Sequence, residues 1–349
     1  MTEAFELPSG AGETPPDFKQ QTAELLEKYS PHQLDARDRD VMAAGLQFLY
    51  TRYSVASSPY HHAYHNHIHT MEMAERELWM LKFFEEKMGW SLQQIDYQAG
   101  AFIPVFHDSI VNATSLSPII VATIGKAEVE LINDGSKSDE QLSAELAVQV
   151  LTQYGYTDEE LLNYVYDGIL TTEVERTNGI KQVHVDDGDV RPAIIAAKNS
   201  DMSAGFAGGP RALIRDISNL AEESLGENTE DTGKITDTVM KLVAYQQKFL
   251  EDRVSDLDKS ISPRILSEEN RIRLHQIIDE ELRPYQERAI TFAKTLDRHS
   301  QTIRDMLYTE LEKRKEQTLA PSKKIRQALT KIVANMPPDD ADGPTPKET

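Results

Sequence analysis

Apolar side chains in this 349-residue chain recur at intervals of three and four, and strict alternation is almost absent. A chain patterned this way buries its core by packing helix on helix, so the expected class is all-α. Asp17–Tyr29 offers Ala23, Leu25 and Leu26, and Leu34–Tyr53 offers Val41, Met42, Leu46, Leu49 and Tyr50 on one broad face. After a break at Ser54–Pro59, helix resumes through Met71, Leu78, Leu81 and Phe84. Ser91 is the expected N-cap of an apolar helix carrying Ile95, Ala99, Phe102, Val105 and Phe106, with Pro104 distorting its end by removing one donor. Glu140–Tyr154, Asp158–Glu175 and the short Arg191–Asn199 follow as helices, with Asn178–Asp189 as a loop or hairpin and Gly205–Pro210 as a turn. Beyond them we expect a long helix over Ile235–Ile261, another from Ser267 to Leu296 kinked at Pro284, and two more over Ile303–Glu316 and Ser322–Met336.

These elements divide into a polar, flexible tail over 1–16, a core over 17–225, and helices over 226–318 that pack on the core or mediate association. A basic helix and a disordered Pro/Asp-rich tail occupy 319–349. Net charge is −21, from 58 acidic against 37 basic residues, which argues against binding nucleic-acid backbone. A small phosphorylated substrate stays compatible, because a bound divalent cation reverses the local sign. With no cysteine, any metal must use histidine and carboxylate. The first residues lack the basic start and apolar core of a signal peptide, and no run reaches the length of a membrane span. A cytoplasmic location without membrane contact is the expectation.

Five of the ten histidines lie between Tyr60 and His69, at 61, 62, 65, 67 and 69. If this stretch opens a helix, His61, His65 and His69 share one face. The next chemistry-bearing pieces are His107-Asp108, at the end of the apolar helix, and Asp201 much later. Three separated segments bringing His69, His107, Asp108 and Asp201 together would supply two imidazoles and two carboxylates. That mixed set suits one divalent ion of the Mn, Fe, Co, Ni, Zn or Mg group. Such an ion acidifies a bound water and polarises a phosphoryl oxygen, and His65 would protonate the leaving oxygen. His61, His62 and His67 are not all expected to be ligands, and most of them are expected at the rim or surface.

The order and wording of these pieces resemble the HD superfamily of metal-dependent phosphohydrolases. Tyr64-His65-Asn66-His67-Ile68-His69 is similar to the Tyr-His-Asn-x-x-His motif of class I cyclic-nucleotide phosphodiesterases. Arg52-Tyr53-Ser54, the segment Asp139–Ala144 and Asp201-Met202-Ser203 look like pieces of a bacterial group of predicted HD phosphohydrolases. The resemblance covers roughly 33–209. It implies an HD-like helical bundle with additional C-terminal helices, metal ligation by His69, His107, Asp108 and Asp201, and a general-acid role for His65, with Asp108 or Asp201 orienting the attacking water. Two positions depart from it: Val111 and Glu175 stand where relatives carry histidine, so a single ion is the expectation.

The expected function is therefore hydrolysis of a phosphoester, first of all a nucleotide or cyclic nucleotide, by metal-activated water. A catalytically inactive relative acting as a metal- or nucleotide-binding regulatory module is the alternative. A plain helical interaction module with incidental histidines is a third class. Association of copies through the C-terminal helices is left open.

Overall fold

The computed structural model describes residues 5–6, 16–30, 33–55, 58, 60–113, 116–172, 191–202, 209–226, 230–260, 268–277, 279–280 and 283–335. They form an all-α protein with one small sheet, and the chain divides into two compact units at Asp201/Met202. The first unit holds α1 (Pro16–Glu27), α2 (Ala36–Leu49), α3 (His67–Met88), α4 (Gln94–Phe106), α5 (Asp139–Gln153), α6 (Glu159–Leu170) and α7 (Pro192–Met202), the last ending at the boundary.

The buried centre of this unit is α4, from Asp96 to Phe106 closed off on nearly every side. Two glycines let neighbouring helices approach it. A Cβ on Gly45 of α2 would collide with Val105, and one on Gly168 of α6 would collide with Ile103. The helix starts at Gln93, not Ser91, because Asp96 closes a capping box with the Gln93 backbone. Pro104 is accommodated within it, and the His107 amide still donates to the Ile103 carbonyl at 2.9 Å.

Three elements differ from the sequence reading. Strands β2 (Ile119–Ile124) and β3 (Ala127–Ile132) pair antiparallel through the tight turn at Gly125-Lys126, where Gly125 has φ +59°. β3 alternates buried and exposed residues along its whole length. Phe5–Glu6, placed in a flexible tail by the sequence reading, forms β1 parallel to Ile120–Val121. Third, the helix after Leu34 ends in a π turn over Tyr50–Ser54, whose wider winding redirects the chain toward the histidines.

In the second unit, α8 (Gly209–Leu225) is a helix that the sequence reading did not assign, and it opens at Gly209-Pro210, where a turn was expected. It shares one apolar cluster with α9 (Thr232–Ser260), α11 (Arg283–Arg298), α12 (Ser300–Lys313) and α13 (Pro321–Ala334), built on residues such as Ile217, Val239, Ala293, Leu307 and Leu329. Placing 209–225 with the N-terminal core, as the expected boundary at 225 does, separates it from the helices it packs against. α10 (Glu268–Ile277) and α11 are described on either side of the expected kink, with Pro284 near the start of α11; residues 278 and 281–282 between them, on which the kink depends, lie outside the described residues. α13 begins at Pro321 with no side-chain N-cap of its own, and the Glu222 carboxylate of α8 accepts the Ser322 amide at 2.5 Å. The expected loop over 178–189, the position of Glu175 and the tail from 337 lie outside the described residues.

Candidate metal centre

The histidine stretch is not one continuous helix. Asn66 is the N-cap of α3, with extended backbone (φ −142°, ψ 179°), and its Oδ1 accepts from the amides of Ile68 and His69. Its Nδ2 donates to the Ala63 and His62 carbonyls, folding the preceding segment back against the helix start. His61 and His65 therefore precede the helix, and the shared face expected for 61, 65 and 69 does not form. His65 still reaches His69 by the fold of this segment: their ring centroids lie 6.2 Å apart and nearly perpendicular.

His62 and His67 are buried, against the expectation of a rim or surface place. His67 packs edge-on to Phe18 and Tyr50, and its Nδ1 meets the Ser54 hydroxyl at 2.5 Å. Burial pushes its pKa down to about 4, with Asp17 opposing, so the ring is a neutral core residue that anchors the start of α3.

α3, the end of α4 and the end of α7 converge. His69 Nε2 lies 3.3 Å from His107 Nε2, His107 Nε2 lies 2.9 Å from Asp108 Oδ2, and His69 Nε2 lies 3.5 Å from Asp108 Oδ2. Asp201 Oδ1 stands 3.2 Å from His69 Nε2 and 3.7 Å from His107 Nε2. Ligand atoms about 2.1 Å from one ion, at angles between octahedral and tetrahedral, sit about 3.0–3.4 Å from one another. The observed spacings scatter around that interval. Ligand atoms of His69, His107 and Asp108 all fall within 4.8 Å of each other, a buried group able to hold a metal ion.

The tautomer of His107 follows from its second nitrogen. Nδ1 lies 2.8 Å from the Pro104 carbonyl, which can only accept, so Nδ1 carries the hydrogen and a neutral ring presents a bare Nε2 to the group. Asp108 Oδ2 is buried, with no hydrogen-bond donor to it among the described residues. Bare nitrogen and carboxylate oxygen face each other across 2.9 Å, an arrangement that calls for a cation between them. Without an ion a proton takes that place: burial works against ionisation throughout, yet Asp108 and Asp201 hold the His107 ring well above its ordinary pKa, so a bound cation would displace a proton from Nε2. Against the same burial, the imidazoles hold the carboxyls of Asp201 and Asp108 below the usual carboxylate range. The donor set fits a divalent ion.

Residues outside the ligand set fix it in place. Tyr53 donates to the Ser109 carbonyl at 2.8 Å and accepts the Val111 amide at 3.2 Å. Ser143 Oγ accepts the Ile110 amide, and the Asp139 carboxylate accepts those of Asn112 and Ala113. The chain leaving Asp108 is thus clamped from α2's π turn and from α5, including Asn112 in the left-handed region at φ 58°. Asp201 is set from both ends of α7. Tyr164, itself donating to Asp96, accepts the Ala193 amide at the start, and Arg76 Nε donates to the Ser200 carbonyl at 2.8 Å near the end. Sequence reading quoted Tyr53, Ser54, Asp139 and Ser143 only as pieces of motifs. It gave no role to Asn66, Arg76 or Tyr164, whose partners are distant in sequence or belong to the backbone.

Fold and site together define an all-α protein with a buried histidine–carboxylate group that can hold a metal ion. Set beside known proteins, the chain matches no protein family, no curated protein and no solved structure. Among the described residues, no helix is long and apolar enough to cross a membrane.

Proposed function

We propose that the chain is a metal-dependent phosphohydrolase of the HD type, acting on a small phosphoester of the nucleotide or cyclic-nucleotide kind. One observation carries this reading: His69, His107, Asp108 and Asp201 come from three helices to ligand spacing around one point, in the order that first suggested the HD superfamily. His69 and His107 would hold the ion through Nε2, and Asp108 and Asp201 through one carboxylate oxygen each. A divalent ion supplies Lewis-acid activation of phosphate and water. The second oxygen of Asp108 or Asp201 would orient the attacking water. His65, half-buried beside His69, would give a proton to the leaving oxygen. The four candidate ligands would serve one ion, and Val111, where the resembled phosphodiesterases carry a further histidine, offers its backbone amide to the Tyr53 clamp.

Elemental analysis of wild type and Asp108→Ala, followed by a screen of phosphate mono- and diesters with the metal found, tests the reading. About one divalent ion per chain, lost in the variant, with turnover abolished by His65→Ala, is the expected result. Metal without turnover across the screen would favour the regulatory alternative. Absence of metal even after reconstitution would overturn the reading.

A further inference from the structure

Arg52 lies in the π turn after α2 and is only 4% exposed. The rings of Phe48, Tyr53 and Tyr60 stand 5.8, 5.1 and 5.0 Å from its guanidinium carbon. Rings of this kind satisfy the faces of a planar cation. They do nothing for its edges, where the five N–H groups point. Nε, Nη1 and Nη2 are all buried, and none makes a well-formed hydrogen bond among the described residues; the Tyr53 hydroxyl, already engaged with Ser109 and Val111, is close enough to the guanidinium to interact with it. Arg39 shows the contrast: its nitrogens donate to the carbonyls of Leu34, Leu26 and Tyr29. Nor does any described acidic side chain form an ion pair with Arg52. A buried guanidinium with satisfied faces and unmet edges is a costly arrangement unless an anion meets those edges.

We infer that Arg52 is the receptor for an oxyanion of the phosphate type, taken in the plane of the guanidinium by two parallel N–H bonds. That geometry is what a guanidinium offers and what a phosphate accepts. Position supplies a second argument. Tyr53 stands edge-on to His62 at 5.1 Å, His62 lies 6.4 Å from His65, and His65 lies 6.2 Å from His69. Aromatic rings thus run in sequence from Arg52 to the metal centre, on the side where His65 stands. The phosphate has two possible sources: free phosphate, or a phosphate group of a molecule that also reaches the metal centre. The inference concerns the anion alone and does not require that the protein hydrolyse anything.

Titration calorimetry of the full-length protein with inorganic phosphate, and separately with ADP, tests it. Phosphate is read in Asp108→Asn, which weakens the metal as a second phosphate site, and binding there should persist. In that background Arg52→Met should weaken the binding by about tenfold or more, and Arg52→Lys, which keeps the charge and loses the fork, should fall between. Circular dichroism and metal content matching wild type establish that Arg52→Met is folded. If it does not fold, the lysine variant decides, and unchanged affinity there overturns the inference. No phosphate binding to wild type, or equal binding to Arg52→Met, also overturns it. ADP binding tighter than phosphate, with the gain lost in Asp108→Asn, assigns the anion to a ligand shared with the metal centre. Equal affinity for both assigns it to free phosphate. Because the phosphate arm is read in Asp108→Asn, failure of the metal reading and failure of this inference are separately visible.

Discussion

At the scale of single residues, three histidines that look alike in sequence have three different jobs. His69 faces the ligand group, His67 is a neutral core ring, and His65 stands beside His69 ahead of the helix. Their exchange for alanine should separate these roles. His69→Ala should lose the ion, and His65→Ala should keep it while slowing turnover by about 10²–10⁴-fold, both read by metal analysis beside an activity assay. Glu77 makes a further residue-scale prediction. It is fully buried on α3, neither carboxylate oxygen has a described partner, and burial raises its pKa well above the ordinary value, with His107 opposing. A raised native pKa means that the folded state holds a proton which the unfolded state releases. Stability linked to Glu77 is therefore complete below about pH 4.5 and declines as pH rises toward the native pKa. Glu77→Gln should match wild type at pH 4 and be more stable by about 1 kcal/mol or more at pH 8, measured by urea unfolding at both pH values. Asp38, also buried, is a useful comparison, because Tyr156 and Gln98 both donate to its carboxylate.

At the scale of elements, the candidate metal centre depends on how firmly α7 and the chain after Asp108 are held. Arg76→Ala should leave the fold intact and weaken metal affinity by about 10–100-fold, since Asp201 loses its backbone anchor, with Arg76→Lys recovering part of it in a chelator competition assay. Asp139→Ala removes the acceptor for two backbone amides and should cost about 1–3 kcal/mol in denaturant unfolding. Helices were legible in the sequence wherever an apolar stripe ran unbroken, as in α2, α5 and α9, because burial on one face writes a period near 3.6. The hairpin was not read, although Ala127–Ile132 alternates. Six residues of alternation between helical stretches are a weak signal, and the two-residue turn at Gly125 is its main punctuation. The four candidate ligands were legible because their residue types have few uses in a buried place. Asn66 was not, since a cap is recognised only once the helix start is known, and the helix start was placed too early.

At the scale of the whole chain, every candidate ligand and the clamp around them lie in the unit ending at Asp201, while the apolar cluster of Leu213, Val239, Leu307 and Leu329 belongs to the other. Substitution in that second cluster should therefore affect stability without altering the metal centre. Leu307→Ala, at a fully buried position, should cost about 2–5 kcal/mol and leave the metal content per chain unchanged.

The contact between His107 Nδ1 and the Pro104 carbonyl has one more consequence. Its acceptor is main chain, so any amino acid placed at position 104 still carries the oxygen that keeps the proton on Nδ1. Orientation of this ligand is thereby insulated from mutation of its neighbours, unlike ligands steered by a second side chain. Evolution can retune this centre through Asp108, Asp201 or the residues that hold α7, but the lone pair offered by His107 persists for as long as α4 remains a helix.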